Sequence, residues 1–231
     1  MKERTMQESI SEPSFQRSVV IVEDDDFLRS LLAEYLEKVG FLVSTASSAA
    51  DARRQINALN PDAVVLDIDL GAGPSGLDVA ATLNKVSNEV GIVFLTNYSD
   101  PRFAGEDPKG VHPKAAYLNK HLLEDPSVLE EALNAVLLEL DVSNFRDDKR
   151  PDRPLAHLSI SQIQVLRLIA QGKTNQQIAE IRERSLEATE SLVTRTLAAL
   201  GIESNAENNV RVSAAREFMS QIGNPRQDEK S

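Results

Sequence analysis

The chain has 231 residues, enough for one large or two modest domains, and its apolar content of 41% is ordinary for a globular protein. It contains no Cys and three scattered His, which excludes disulfides, thiolate catalysis and Cys-ligated zinc and argues against a His-rich metal site. The formal charge of -11 is unevenly placed: from Leu155 onward nine Lys/Arg balance nine Asp/Glu, so the acidity belongs to the preceding residues, where it opposes contact with nucleic acid.

No apolar stretch approaches the roughly 20 residues needed to span a membrane, and Met1 to Pro13 lacks a signal-peptide core, so a soluble, cytoplasmic protein is expected. Residues 1–17 read as a mobile polar tail. Val19-Val20-Ile21-Val22 is an apolar run too continuous to alternate in and out, the pattern of a strand buried on both faces, and it ends in Glu23-Asp24-Asp25-Asp26. Phe27, Leu28, Leu31, Leu32, Tyr35, Leu36 and Val39 then recur at helical spacing, with Gly40 as the stop. Phe41-Leu42-Val43 predicts a short second strand, and Ala49 to Leu59 a helix closed by Asn60-Pro61. Ala63-Val64-Val65-Leu66 is a third strand, ending in Asp67.

A Gly-rich loop from Gly71 to Gly76 leads to a helix over Leu77–Val86, and Gly91 to Thr96 is a fourth buried strand. Pro101, Gly105, Pro108, Gly110 and Pro113 predict only short or irregular helix between Tyr98 and Pro113. A fifth strand, Ala115–Asn119, ends at Lys120, and Pro126 to Leu140 is helical. Five strand-helix units in succession imply an α/β doubly wound five-stranded parallel sheet over residues 18–141, flavodoxin-like in layout. Residues 142–155 carry the charge and proline of a linker. Beyond them no strand pattern occurs. Four helices, over 158–171, 175–184, 186–200 and 209–222, form an all-α helix-turn-helix module spanning 156–222, and 223–231 reads as a second tail.

Acids at the ends of two strands, a hydroxyl at a fourth and a lysine at a fifth are a specific combination. Glu23, Asp24 and Asp67 at one sheet edge would repel one another without a cation, and hard oxygen ligands of this kind suit Mg²⁺. The expected chemistry is phosphoryl transfer, with Asp67 as nucleophile and Thr96 and Lys120 binding the phosphoryl oxygens. These residues resemble the receiver domain of two-component response regulators in order and interval. The resemblance implies that a sensor histidine kinase phosphorylates Asp67. It also implies that Asp24 and Asp67 bind Mg²⁺, with Glu23 acting partly through water and with the Asp69 backbone carbonyl, and that Thr96 and Tyr117 form the switch. Such a protein is a phosphoacceptor assisting its own phosphorylation and dephosphorylation, not an enzyme with turnover. His121 stands where the family usually has a cis-bonded proline, so a trans bond or an altered loop is expected there, with Lys120 less firmly aimed. A haloacid-dehalogenase-like phosphatase is a remote alternative, needing a later acidic pair where only Glu124-Asp125 follows in a loop.

Leu158 to Gly201 resembles the LuxR/FixJ-type helix-turn-helix domain through Leu158, Val165 to Gly172, Thr174-Asn175, Ile178-Ala179, Ser185 and Leu200-Gly201. Gly172 is expected to stop the first helix, Thr174 to cap the second and Ser185 the third. The resemblance implies transcriptional control by DNA binding and phosphorylation-dependent homodimers. The recognition helix departs from the family: Ala188-Thr189-Glu190 and Leu192 replace the usual Thr-Val-Lys and His, and Ala199 a basic residue. Candidate DNA contacts are Lys173, Gln176, Gln177, Thr194, Arg195 and Arg211, with Arg216. The alternative is that this domain binds a protein partner instead.

Overall fold

The structure is a computed structural model describing residues 16–86, 89–202 and 209–222. The first predicted tail lies outside the described residues except for its last two positions, and the second lies wholly outside them. Five strands form one parallel sheet: β1 (Ser18–Val22), β2 (Leu42–Ala46), β3 (Ala63–Leu66), β4 (Gly91–Thr96) and β5 (Ala116–Asn119), in the order β2-β1-β3-β4-β5. The connection after β2 crosses β1 to reach β3, so the winding direction reverses between β1 and β3. That switch point is where such sheets open a crevice outside their carboxyl ends.

The apolar runs divide by alternation between two cores. Val20, Val22, Val64, Leu66, Phe94 and Tyr117 face one side, against Ala52 and Ile56 of α2 (Ala49–Leu59) and Leu77 and Ala80 of α3 (Gly76–Val86). Val19, Ile21, Val65, Val93 and Leu118 face the other, against Leu32 and Leu36 of α1 (Asp26–Lys38) and Leu129, Ala132 and Leu133 of α4 (Ser127–Leu137). Asp25 caps α1, its side chain accepting from the Leu28 amide at 2.9 Å, so an acid of the turn after β1 also starts the helix. β2 runs to Ala46, beyond the predicted Phe41–Val43: it is an edge strand, where Ser44 and Thr45 can stay partly solvated while their backbones pair with β1.

The prolines after β4 act as predicted, leaving two 3-10 turns, Pro101–Ala104 and Pro108–Gly110. Among the described residues there is no cis peptide, so the bond to His121 is trans as expected. The segment 142–155 is less solvated than its composition suggests. Arg146 pairs with Tyr117 in a parallel bridge beyond β5, and its guanidinium is buried on Asp148 at 2.7 Å.

The C-terminal helices are α5 (Ile160–Ala170), α6 (Asn175–Ile181), α7 (Leu186–Ala199) and α8 (Val210–Ile222). α5 starts two residues later than predicted because Ser159 and Gln162 close a capping box, leaving Leu158 ahead of the helix and in the core. Thr174 and Ser185 cap α6 and α7, and Gly172 stops α5 with φ +75°, all as the sequence predicts.

The two parts meet on the turn that stands between β4 and β5. Phe103 is buried with Leu155, Leu158, Ile163, Leu166, Ala214 and Phe218, its ring 5.8 Å from that of Phe218 and nearly perpendicular. Arg102 forks onto Asp100 at 2.9 and 2.7 Å and donates to the Leu158 carbonyl, while Arg153 reaches Asp100 at 2.9 Å. Arg167 of α5 donates to the Ala104 carbonyl at 2.7 Å.

Candidate functional site

Parallel register brings the strand ends into line: Val22 lies opposite Leu66, so the next residues, Glu23 and Asp67, emerge side by side at the switch point. Carboxylate oxygens of Glu23, Asp24 and Asp67 come within 4.8 Å of one another. Lys120, at the end of β5, places its amine 2.6 Å from Glu23 Oε2 and 2.7 Å from Asp67 Oδ2. Asp67 Oδ1 accepts the Asp69 amide at 3.1 Å, and the Thr96 hydroxyl, which accepts the Tyr98 amide at 3.4 Å, stands near enough to help lower the pKa of the Asp67 carboxyl. The structure therefore brings together Glu23, Asp24, Asp67, Thr96 and Lys120. Glu124 and Asp125 sit exposed in the loop before α4.

Burial governs the electrostatics. It pushes the Asp67 carboxyl above its usual range, against the opposing pull of the Lys120 ammonium and the hydrogen bonds it receives. Glu23 is raised by burial and by the Asp67 charge, again against Lys120. Burial disfavours the Lys120 charge, but the two carboxylates outweigh it and raise its pKa. An ammonium held between two strained carboxylates can meet an incoming phosphoryl oxygen. The three converging carboxylates are also a hard donor set that suits a divalent cation keeping part of its water.

Sequence reasoning missed two neighbours. Tyr98 donates its hydroxyl to Asp69 Oδ2 at 3.0 Å, and burial followed by the Asp69 charge pushes this phenol well up, so it stays a donor at neutral pH. Its carbonyl accepts the Tyr117 hydroxyl at 2.8 Å, the Tyr117 ring being fully buried. Gly76 backs the site: a Cβ there would stand 2.0 Å from the Asp67 carbonyl oxygen, so only glycine lets α3 start that close. The glycine was legible as a loop residue, but its contact with Asp67 was not.

On the helix-turn-helix, Gln176, Gln177, Thr194 and Arg195 are exposed, as are Leu186, Glu187 and Glu190 of α7. Several candidate contacts are engaged internally. The Gln177 side chain bonds the Thr174 amide, Gln176 bonds Glu180, and Arg211 is bound to Asn175 and the Lys173 carbonyl. Arg195 makes a long contact of 3.4 Å to the Ser191 carbonyl, and the Thr194 hydroxyl bonds Glu190. Arg216 is exposed on α8.

Residues 19–109 match the sequence profile of the response regulator receiver domain. The oxygen regulatory protein NreC of Staphylococcus aureus is 27% identical over 203 residues, covering 82% of this chain and 93% of that protein. A structure of RcsB from Salmonella enterica serovar Typhimurium, bound to promoter P1flhDC in the presence of the phosphomimetic BeF3-, aligns over 89% of this chain and 99% of its own. Its TM-score is 0.55 at 18% identity, a likeness of fold. Among the described residues no helix is long and apolar enough to cross a membrane.

Proposed function

We propose that this chain, whose residues 19–109 match the receiver-domain profile and which is similar to NreC over 82% of its length, is a response regulator with a receiver domain followed by a LuxR-type helix-turn-helix domain, that a histidine kinase phosphorylates it on Asp67 and that it controls transcription through DNA. The observation that carries the proposal is the placement of the Lys120 amine between Glu23 and Asp67, beside Asp24. In the transfer, an Asp67 carboxylate oxygen attacks phosphorus, the bond from phosphorus to the donor imidazole breaks, and an acyl phosphate forms. Lys120 then exchanges a carboxylate partner for a phosphoryl oxygen. Thr96 follows the new charge, its hydroxyl turning toward the phosphoryl group.

The carboxylates of Asp24 and Asp67, Glu23 through water and the Asp69 carbonyl would hold Mg²⁺, which when bound neutralises phosphoryl oxygens. Tyr117, buried with its hydroxyl on the Tyr98 carbonyl, is the aromatic member of the switch. DNA contact would fall to Lys173, Gln176, Gln177, Thr194, Arg195, Arg211 and Arg216, presented by a phosphorylation-dependent homodimer. A second reading has one observation in its favour: the exposed start of α7 carries Leu186, Glu187 and Glu190, a surface suited to a protein partner more than to phosphates.

Incubation with acetyl phosphate and Mg²⁺, followed by intact mass, tests the site. One phosphoryl group is expected on the wild type and none on Asp67→Asn. Incorporation by the variant would remove Asp67 from its assigned role.

A further inference from the structure

Three groups of the phosphoacceptor region converge on one residue outside it. Tyr98 donates its amide to Thr96 Oγ1 at 3.4 Å, accepts the Tyr117 hydroxyl on its carbonyl at 2.8 Å and gives its own hydroxyl to Asp69 at 3.0 Å. Its ring is the only hydrophobic side chain, among the described residues, packed against both the receiver core and the cluster that Phe103 shares with Leu155, Leu158, Ile163, Leu166, Ala214 and Phe218. Asp69 is exposed, and among the described residues its carboxylate otherwise accepts only the Gly71 amide, at 3.3 Å. The phenol thus joins the turn that follows Asp67 to the wall on which the C-terminal helices rest.

The docking contact leaves the recognition surface outside it. Phe103, Arg102 and Ala104 are met by α5, α8 and the residues leading into α5, while the exposed face of α7 takes no part in these contacts. Docking therefore fixes where α7 sits relative to the receiver and does not cover it. What the receiver can change is that placement.

We propose that Tyr98 is the positioning residue that couples the turn after Asp67 to docking of the helix-turn-helix domain. Its hydroxyl holds the Asp69 carboxylate only while its ring is clamped by the docked helices, and the helices stay docked more firmly while that bond is made. Reorientation of Thr96 and Tyr117 removes two of the three bonds that fix Tyr98, so a change at Asp67 reaches the domain interface within two residues of β4. The signalling sense of this coupling rests on Asp67 as phosphoacceptor, but the coupling itself does not.

The absence of Cys makes the test direct. In the full chain, Lys38→Cys on α1 and Glu187→Cys on α7 carry a dye pair, and single-molecule energy transfer reports docked and undocked fractions. Tyr98→Phe and Asp69→Ala are each expected to raise the undocked fraction about threefold to tenfold, the range of one hydrogen bond. The double variant is expected to go no further than the larger single effect. Phe103→Ala, which removes the interface ring, calibrates the undocked signal. An unchanged fraction in Tyr98→Phe, or additive effects in the double variant, would overturn the coupling. The same samples treated with acetyl phosphate separate the two ideas. A wild type that takes no phosphate while the variants are non-additive would refute the phosphoacceptor reading and leave the coupling standing.

Discussion

At the scale of single residues, the site stores an imbalance of charge. Asp67 is pushed up by burial more than Lys120 and its hydrogen bonds pull it down. A carboxyl with a raised folded pKa binds its proton more tightly folded than unfolded, so the stability it permits is highest at low pH and falls as pH rises through that interval. The penalty is complete only above the folded pKa. Asp67→Asn, uncharged throughout, is therefore expected to melt above the wild type at pH 7, with the advantage disappearing as pH nears about 4, the range of a free aspartate. Thermal unfolding across a pH series checks this, and an Asn variant melting lower at pH 7 would contradict it. The five polar residues of this site were legible because each follows an apolar strand run that fixes its place at one sheet edge. Tyr98 was not, since nothing in its neighbourhood in the chain announces Asp69, which lies on the loop after another strand.

At the scale of elements, the segment between β4 and β5 shows what periodicity can and cannot tell. Its prolines ruled out a regular helix, and two short turns are found. The use of those turns was hidden: Asp100 and Arg153 are 53 residues apart, and no pattern marks a 3-10 turn as a docking surface. Asp100 is 1% exposed and paired with both Arg102 and Arg153. Burial alone would raise its pKa, but the bonds from the two guanidinium groups outweigh burial and hold the carboxyl below its usual range. For a depressed carboxyl, the stabilisation is present above the unfolded pKa and is lost as pH falls through the folded one. Docking is thus expected to loosen in acid, below the ordinary aspartate range. Asp100→Ala leaves two guanidinium groups without their partner, a loss of about 3–5 kcal/mol for a buried pair of this kind. Urea unfolding should show it as a lower midpoint, with the C-terminal helices separating from the receiver before the receiver unfolds. A single transition at the wild-type midpoint would mean the network contributes little to docking.

At the scale of the molecule, the charge of -11 is confined to residues 1–154, and the remainder, which on the proposed reading meets DNA, is neutral. A neutral domain binds a polyanion only through the local arrangement of its cations, so the exposed Arg195 and the acids of α7 should dominate the response. If α7 enters a groove, affinity must fall as salt rises, with a slope of about -0.9 per phosphate neutralised. Arg195→Ala should weaken binding across sequences and reduce that slope by about one. Glu190→Gln tests the same surface from the other side: removal of an exposed carboxylate facing phosphates should tighten binding, with most of the gain at low salt, where screening is weakest. Fluorescence anisotropy on genomic fragments, with and without acetyl phosphate, measures all of these. A flat salt response that neither variant alters would move the output of the domain from DNA to a protein partner, for which Leu186, Glu187 and Glu190 would then be the contact residues.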